Sequence, residues 1–181
     1  MTPITTGVHH VAYRCHDAKQ TVEFYQKYLN MPFVTAFSED HVPSTGAYDP
    51  YMHVFLDAGR GNVLAFFELP TQPTMGSDPN TPDWVQHLAL EVDSEDTLEA
   101  VKARLQADDI DVVGVTDHTL FRSIYFFDPN GHRIELTVST PRPAIEAKLD
   151  EVKWAMLEEW SRTKRAPEHA RFLHDGSVAD D

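Results

Sequence analysis

VHHVAYRC, residues 8–15, has a counterpart further along the chain in VQHLALEV, residues 85–92. Both alternate like short strands, and both carry a histidine in third place, His10 and His87, 77 residues apart. Successive strand residues point to opposite faces, so His9 and His10 are expected to look to different sides. A polar start and a helical pattern follow each strand. In DAKQTVEFYQKYLN the apolar residues Val22, Tyr25 and Leu29 fall at i, i+3 and i+7. In SEDTLEAVKARLQA, Leu98, Val101 and Leu105 repeat that spacing. Asp17 and Ser94 have the short oxygen-bearing side chains that cap helix N-termini. Apolar strands, MPFVTAF and IDVVGV, come next.

The second halves also correspond. FLDAGRGNVLAFFEL (55–69) and YFFDPNGHRIEL (125–136) each read as strand, turn, strand, with Asp-Pro-Asn-Gly a tight turn. Setting FFEL over RIEL pairs Glu68 with Glu135, at an offset of 67. The extra residues of the first copy are then expected partly in the loop SEDHVPSTGAYDPY and partly in a wider turn near Gly59 and Gly61. The reading is one α+β domain of two tandem βαβββ modules, about residues 7–70 and 84–139, joined by a Pro-rich linker over 71–83. Neither module buries its sheet well alone, and together they are expected to form one cupped mixed sheet with helices outside. An amphipathic helix is predicted over 143–164, from Ile145, Leu149, Val152, Met156 and Trp160, with Pro143 in its first turn. It is expected to pack on the domain, with a dimer contact or a lid over the cup as alternatives. A tail over 165–181 ends in HDGSVADD, which is expected to lack structure.

Composition limits the function. The chain is 41% hydrophobic and 24% charged, in the globular range. Its net charge of −14 argues against nucleic acid or anionic membrane as a partner, because phosphate binding needs clustered Lys and Arg. A single cysteine, Cys15, excludes an internal disulfide and a cysteine-bound structural zinc. No start resembles a signal peptide and no run is long enough for a membrane span, so a cytoplasmic protein is expected.

Strand parity then selects four residues. His87, Ala89 and Glu91 share a face, opposite Leu88, Leu90 and Val92. Arg133, Glu135 and Thr137 oppose Ile134, Leu136 and Val138. His10, Ala12 and Arg14 oppose Val11, Tyr13 and Cys15, and Phe66 and Glu68 oppose Phe67 and Leu69. On this reading His10, Glu68, His87 and Glu135 all face away from the helices. Two imidazoles and two carboxylates suit a divalent metal ion such as Fe(II), Mn, Ni, Co or Zn.

With HHVAYRC, EFYQKYLNMPF, LAFFEL, VQHLALEV and SIYFFDPNGHRIELTV on the page, the chain resembles the vicinal oxygen chelate superfamily. That superfamily includes glyoxalase I, bleomycin- and fosfomycin-resistance proteins and extradiol ring-cleaving dioxygenases. The resemblance covers most of residues 7–139. It implies a cup around one metal ion that binds two adjacent oxygens of a small molecule, with His10, His87 and Glu135 as ligands. It also implies a tendency to form homodimers.

Three branches remain open. An extradiol-type dioxygenase would hold Fe(II) with His10, His87 and Glu135, leaving positions for a catecholate and O₂. TDHTLFRSIYFFDPNGHRIEL resembles the corresponding dioxygenase segment, which implies an acid–base or oxygen-stabilising role for His118 and a hydrogen-bonding role for Tyr125. A glyoxalase-I-like isomerase or lyase would use Glu68 as a fourth ligand and as the base. Against that branch, the acidic balance offers no obvious cationic clamp for the two carboxylates of glutathione: Arg14, Arg122 and Arg133 are candidates, and none is singled out. A binding or resistance protein would need only an aromatic cavity, for which Phe66, Phe121, Tyr125 and Phe126 are candidates. The dioxygenase reading is preferred. The loop with His41 and Tyr48, and His53 just beyond, could carry specificity.

Overall fold

Asp17 ends one strand pattern and starts a helix, and its carboxylate accepts the backbone N–H of Gln20 as an N-cap should. Helix α1 (Ala18–Leu29) follows, and Asn30 in the left-handed region closes it. Ser94 caps α2 (Glu95–Ala107) in the same way, accepting the N–H of Thr97. These caps sit at equivalent points of two modules with the same topology. The computed structural model describes residues 3–175.

Module 1 holds β1 (His10–Cys15), β2 (Phe33–His41), β3 (Tyr48–Asp57) and β4 (Val63–Glu68), in the spatial order β1-β4-β3-β2. Module 2 holds β5 (Leu88–Glu91), β6 (Val113–Asp117), β7 (Phe121–Phe127) and β8 (Arg133–Ser139), ordered β5-β8-β7-β6. In each, the first strand runs parallel to the last and the other pairs are antiparallel. The tandem α+β modules are therefore present, built as two four-stranded sheets. The loop SEDHVPSTGAYDPY is largely strand, since β2 runs to His41 and β3 begins at Tyr48, whose rings lie 5.5 Å apart.

Register corrects the alignment of the two halves. Asp57 pairs with Val63 and Phe127 with Arg133, so the two turns are equally long. Phe55 pairs with Ala65, and Tyr125 with Glu135. The offset is thus 77 at His10 and His87 but 70 in the last two strands. The extra residues of module 1 all precede β3, and none widens the turn near Gly59. The structural counterpart of Glu135 is Ala65, not Glu68.

Both helices sit on one shared core. Tyr25 packs on Phe66 with ring centres 5.2 Å apart, and Phe24 reaches across to Phe126 at 6.3 Å. Leu98 and Leu105 of α2 are fully buried beside them. Each such side chain contributes about 1.5–3 kcal/mol by leaving water. Phe66 and Phe126 therefore belong to this core and do not line a cavity, contrary to the expectation for them.

The turn Asp128–His132 locks the modules together. Asp128 is buried and accepts from Tyr25 Oη at 3.1 Å, from the backbone N–H groups of Asn130 and His132 at 2.9 Å each, and from Asn130 Nδ2 at 3.0 Å. Asn130 Nδ2 also donates to Thr21 Oγ1, and its Oδ1 accepts the N–H of His16 at 2.8 Å. His132 Nε2 lies 2.6 Å from the carbonyl oxygen of Arg14. Beside Asp128 and deep in the core, the Tyr25 phenol is held well above its ordinary value, first by burial.

Helix α3 (Pro143–Thr163) carries Pro143 in its first turn as predicted. It does not pack its stripe on the domain: Ile145 is its buried residue, while Trp154, Leu157 and Trp160 are exposed. A 3-10 turn at Glu168–Ala170 and a short α4 (Phe172–Asp175) continue the chain, and His169 Nδ1 meets Glu159 Oε2 at 2.6 Å. The segment HDGSVADD thus begins in α4, and from residue 176 on it lies outside the described residues. No helix of the described residues is long and apolar enough to cross a membrane.

Replacing Asp128 by Ala leaves four donors, from Tyr25, Asn130 and His132, without their acceptor. At about 1–3 kcal/mol for a buried orphan group, the expected loss is about 3 kcal/mol or more in urea denaturation. Asp40→Ala, on exposed β2, should change stability by less than about 0.5 kcal/mol.

Candidate functional site

Ile134, Leu136 and Val138 are the core side of β8, so alternation turns Glu135 to the other face. There its carboxylate is nevertheless buried, at 4% exposure. A buried carboxylate is costly unless it is partnered. Ser123 Oγ donates to its Oε1 at 2.5 Å and Tyr125 Oη to the same oxygen at 3.0 Å. Both donors come from β7, paired with β8. The second oxygen, Oε2, lies 3.0 Å from His87 Nε2. His87 directly precedes β5, which runs parallel to β8 with Ala89 opposite Glu135.

The network continues outward. His118 Nε2 is 2.8 Å from Tyr125 Oη, and its ring stacks on Phe121 with centres 4.8 Å apart. A phenol has one proton. With that proton given to Glu135, His118 supplies the hydrogen of the outer bond. Burial, then the bond to Glu135, raises the Tyr125 phenol above its ordinary value, so it remains a donor at neutral pH. His118, Tyr125, Glu135 and His87 thus form one connected chain.

Module 1 presents a different face. His10 is exposed, with His53 and Phe55 near it at ring-centre distances of 6.5 and 6.2 Å. His53 lies between Phe55 at 4.1 Å and Phe67 at 3.5 Å, and Tyr51 flanks Phe67. The His53 Nε2 is buried with no hydrogen-bond partner among the described residues, and burial followed by the neighbouring His10 lowers its imidazole from the ordinary value. This wall of rings was not found from sequence as a unit. The signal was present in the alternation of His53, Phe55 and Phe67, once their strands are paired. His9 departs from its expectation. It precedes β1, so alternation does not govern it, and its Nδ1 meets Nδ1 of His10 at 2.8 Å.

Glu68 is not on the His10 face. It pairs with Cys15, on the side where β1 and β4 meet α1. Its Oε2 accepts the N–H of Ala18 at 2.7 Å, where a negative charge suits the start of a helix. It is also one of the charges that, after burial, push the Cys15 thiol up to about 11. The expectation of Glu68 as ligand and base fails for a geometric reason. The match of FFEL to RIEL is three residues out of structural register, and an odd slip reverses the face. Phe67, not Phe66, shares the His10 side.

His87 and Glu135 are together, and His10 stands apart from them on the other module. No group of three or more His, Cys, Asp or Glu side chains that could hold a metal ion exists among the described residues. The donor chemistry of His87 with Glu135 fits a divalent ion but is short of a third ligand. Glu68→Ala is therefore expected to cost about 1 kcal/mol of stability through the lost cap, with metal affinity unchanged in titration calorimetry.

Comparison with known proteins agrees with this architecture. Residues 7–136 match the model of the glyoxalase/bleomycin resistance protein/dioxygenase superfamily. A Bacillus subtilis (strain 168) protein, "Putative ring-cleaving dioxygenase MhqA", is 27% identical over 135 residues, which is 72% of this chain but 40% of that protein. The chain thus spans two fifths of that relative's length. A glyoxylase/bleomycin resistance protein/dioxygenase domain from Frankia sp. EAN1pec superimposes with a TM-score of 0.59 at 18% identity, covering 75% of this chain and 99% of that one. The fosfomycin resistance protein FosX from Listeria monocytogenes, crystallised with Mn(II), gives 0.54 at 20% identity, covering 76% and 95%. With its paired modules and the match over residues 7–136, the chain belongs to the glyoxalase/bleomycin resistance protein/dioxygenase superfamily.

Proposed function

We propose that this chain is a divalent-metal-dependent ring-cleaving dioxygenase of the extradiol type, acting on a catechol-like substrate with Fe(II) as its preferred ion. The observation that carries the reading is the bonding of Glu135 to His87 on one oxygen and to Ser123 and Tyr125 on the other. Ala65 at the equivalent place in module 1 supports a set of two histidines and one carboxylate. Such a set leaves room for two substrate oxygens and O₂. The isomerase reading required a second carboxylate ligand and base, and Glu68 caps α1 instead. The ring-cleaving relative is consistent with the choice.

His10 is the proposed third ligand, supplied by a second copy of the chain. His10, His87 and Ala89 are all exposed, on faces turned away from the shared helical core. Every residue of β2 is exposed, including Phe33, Val34 and Phe37. Apolar surface of this kind marks an interface. A homodimer pairing module 1 of one copy with module 2 of the other would bring His10 and the ring wall opposite His87 and Glu135.

When bound, the ion would supply Lewis acidity toward two adjacent oxygens and, as Fe(II), a route for electrons from the catecholate, which is the reductant, to O₂. The chain's own residues do the rest. Ser123 and Tyr125 fix the carboxylate through Oε1, so that Oε2 alone faces His87. His118, held against Phe121 and tied to Tyr125, is placed to take a substrate hydroxyl proton. The Tyr125 phenol gives its one proton to Glu135 and so joins that carboxylate to His118. Phe55 and Phe67 would exclude water from the aromatic ring.

Protein loaded anaerobically with Fe(II) is expected to consume O₂ on mixing with catechols and to form a coloured ring-fission product. Isomerisation of a hemithioacetal with Ni or Zn, without O₂ uptake, would overturn the reading. Co-expressed His10→Ala and His87→Ala chains should recover about a quarter of wild-type activity, because half of the dimers then hold one intact site. Each variant alone should be inactive. A mixture as inactive as its components would show that the ligands come from one chain.

A further inference from the structure

Arg133 stands two residues before Glu135 on the same face of β8, and its guanidinium carbon lies 4.5 Å from the centre of the Tyr125 ring. Among the described residues, three arginines have a buried Nε without a hydrogen-bond partner: Arg14, Arg122 and Arg133. Two of them use their terminal nitrogens elsewhere. Arg14 donates to the Pro73 carbonyl at 2.6 Å, and Arg122 to Glu95 Oε2 at 2.5 Å. The Arg133 guanidinium makes no hydrogen bond or ion pair among the described residues; its contact is the stack on Tyr125. The chain carries 29 acidic side chains against 15 Lys and Arg. Among the described residues the Arg133 guanidinium finds none of them, and it stands beside the His87–Glu135 pair, a donor held for something else.

We infer that Arg133 anchors a carboxylate on the substrate, separate from the two adjacent oxygens. The inference rests on the ring-cleaving reading for those oxygens, but the anchor itself does not. A guanidinium is planar and offers its N–H groups as a fork that matches a carboxylate in two parallel bonds. The stack on Tyr125 restrains that fork before the ligand arrives, which lowers the entropy lost on binding. Its position ties the anion site to the residue that bonds both Glu135 and His118. The substrate class is then an aromatic acid with two adjacent hydroxyls, not a neutral catechol.

The test compares 3,4-dihydroxyphenylacetate with 4-methylcatechol, which differ in the carboxylate. Wild-type protein should favour the acid in kcat/KM, and Arg133→Gln should reduce that preference by about 10- to 100-fold, as for a lost charge-assisted pair. The reduction should appear mainly as a raised KM for the acid. Arg133→Lys should retain part of the preference, and Arg133→Glu should reverse it. A preference unchanged in Arg133→Gln, or absent in the wild type, would overturn the inference. Binding of phenylacetate to metal-free protein, followed by NMR shifts, separates the two claims because it needs neither metal nor turnover. Binding that weakens tenfold or more in Arg133→Gln supports the anchor even where no catechol is cleaved. Binding equal in both proteins, or stronger for inorganic phosphate than for phenylacetate, would refute a carboxylate site.

Discussion

A carboxylate buried on the open face of a sheet must be satisfied on both oxygens, and Glu135 is. That requirement organises module 2. Ser123 and Tyr125 have to arrive from β7 in register with β8, and His87 has to precede a strand parallel to it. Gly114 belongs to the same constraint. It sits in the irregular part of β6 with φ +106, where a Cβ would lie 2.5 Å from the carbonyl oxygen of Ser123. A side chain there would press on the strand that positions both donors to Glu135.

The turn that begins β8 extends this constraint to the whole chain. Asp128, Asn130 and His132 engage Tyr25, Thr21, His16 and Arg14 of module 1. The strand bearing Arg133 and Glu135 therefore leaves a turn clamped to the other module. A buried polar network of this kind specifies one arrangement, because any slip orphans several groups at once. It sets the helices together and leaves the His10 face and the His87–Glu135 face open.

Much of this was legible in the sequence. Cap residues Asp17 and Ser94, the two helices and the paired modules follow from spacing and side-chain chemistry. His118, Tyr125, Glu135 and His87 were singled out one by one through family resemblance, and the fold brings them into contact. Glu68 was misplaced because short apolar strands ending in Glu-Leu look alike, and a similarity of four letters does not fix register. Turn length does: equal loops between Asp57 and Val63 and between Phe127 and Arg133 place Ala65 opposite Glu135. The packing of α3 was not legible, since an amphipathic stripe shows that a surface seeks cover without naming what covers it. Arg133 could not be told from Arg14 and Arg122 by sequence, because being unpaired is a property of the folded neighbourhood.

The central claim is a metal site shared between copies, with one carboxylate. An anomalous-difference map from crystals grown with Fe(II) or Mn(II) tests it directly. The account predicts a single ion bonded to His87 Nε2 and Glu135 Oε2 of one copy and to His10 of its partner, with Glu68 still at the start of α1. An ion held by one chain alone, or one bound to Glu68, would contradict it.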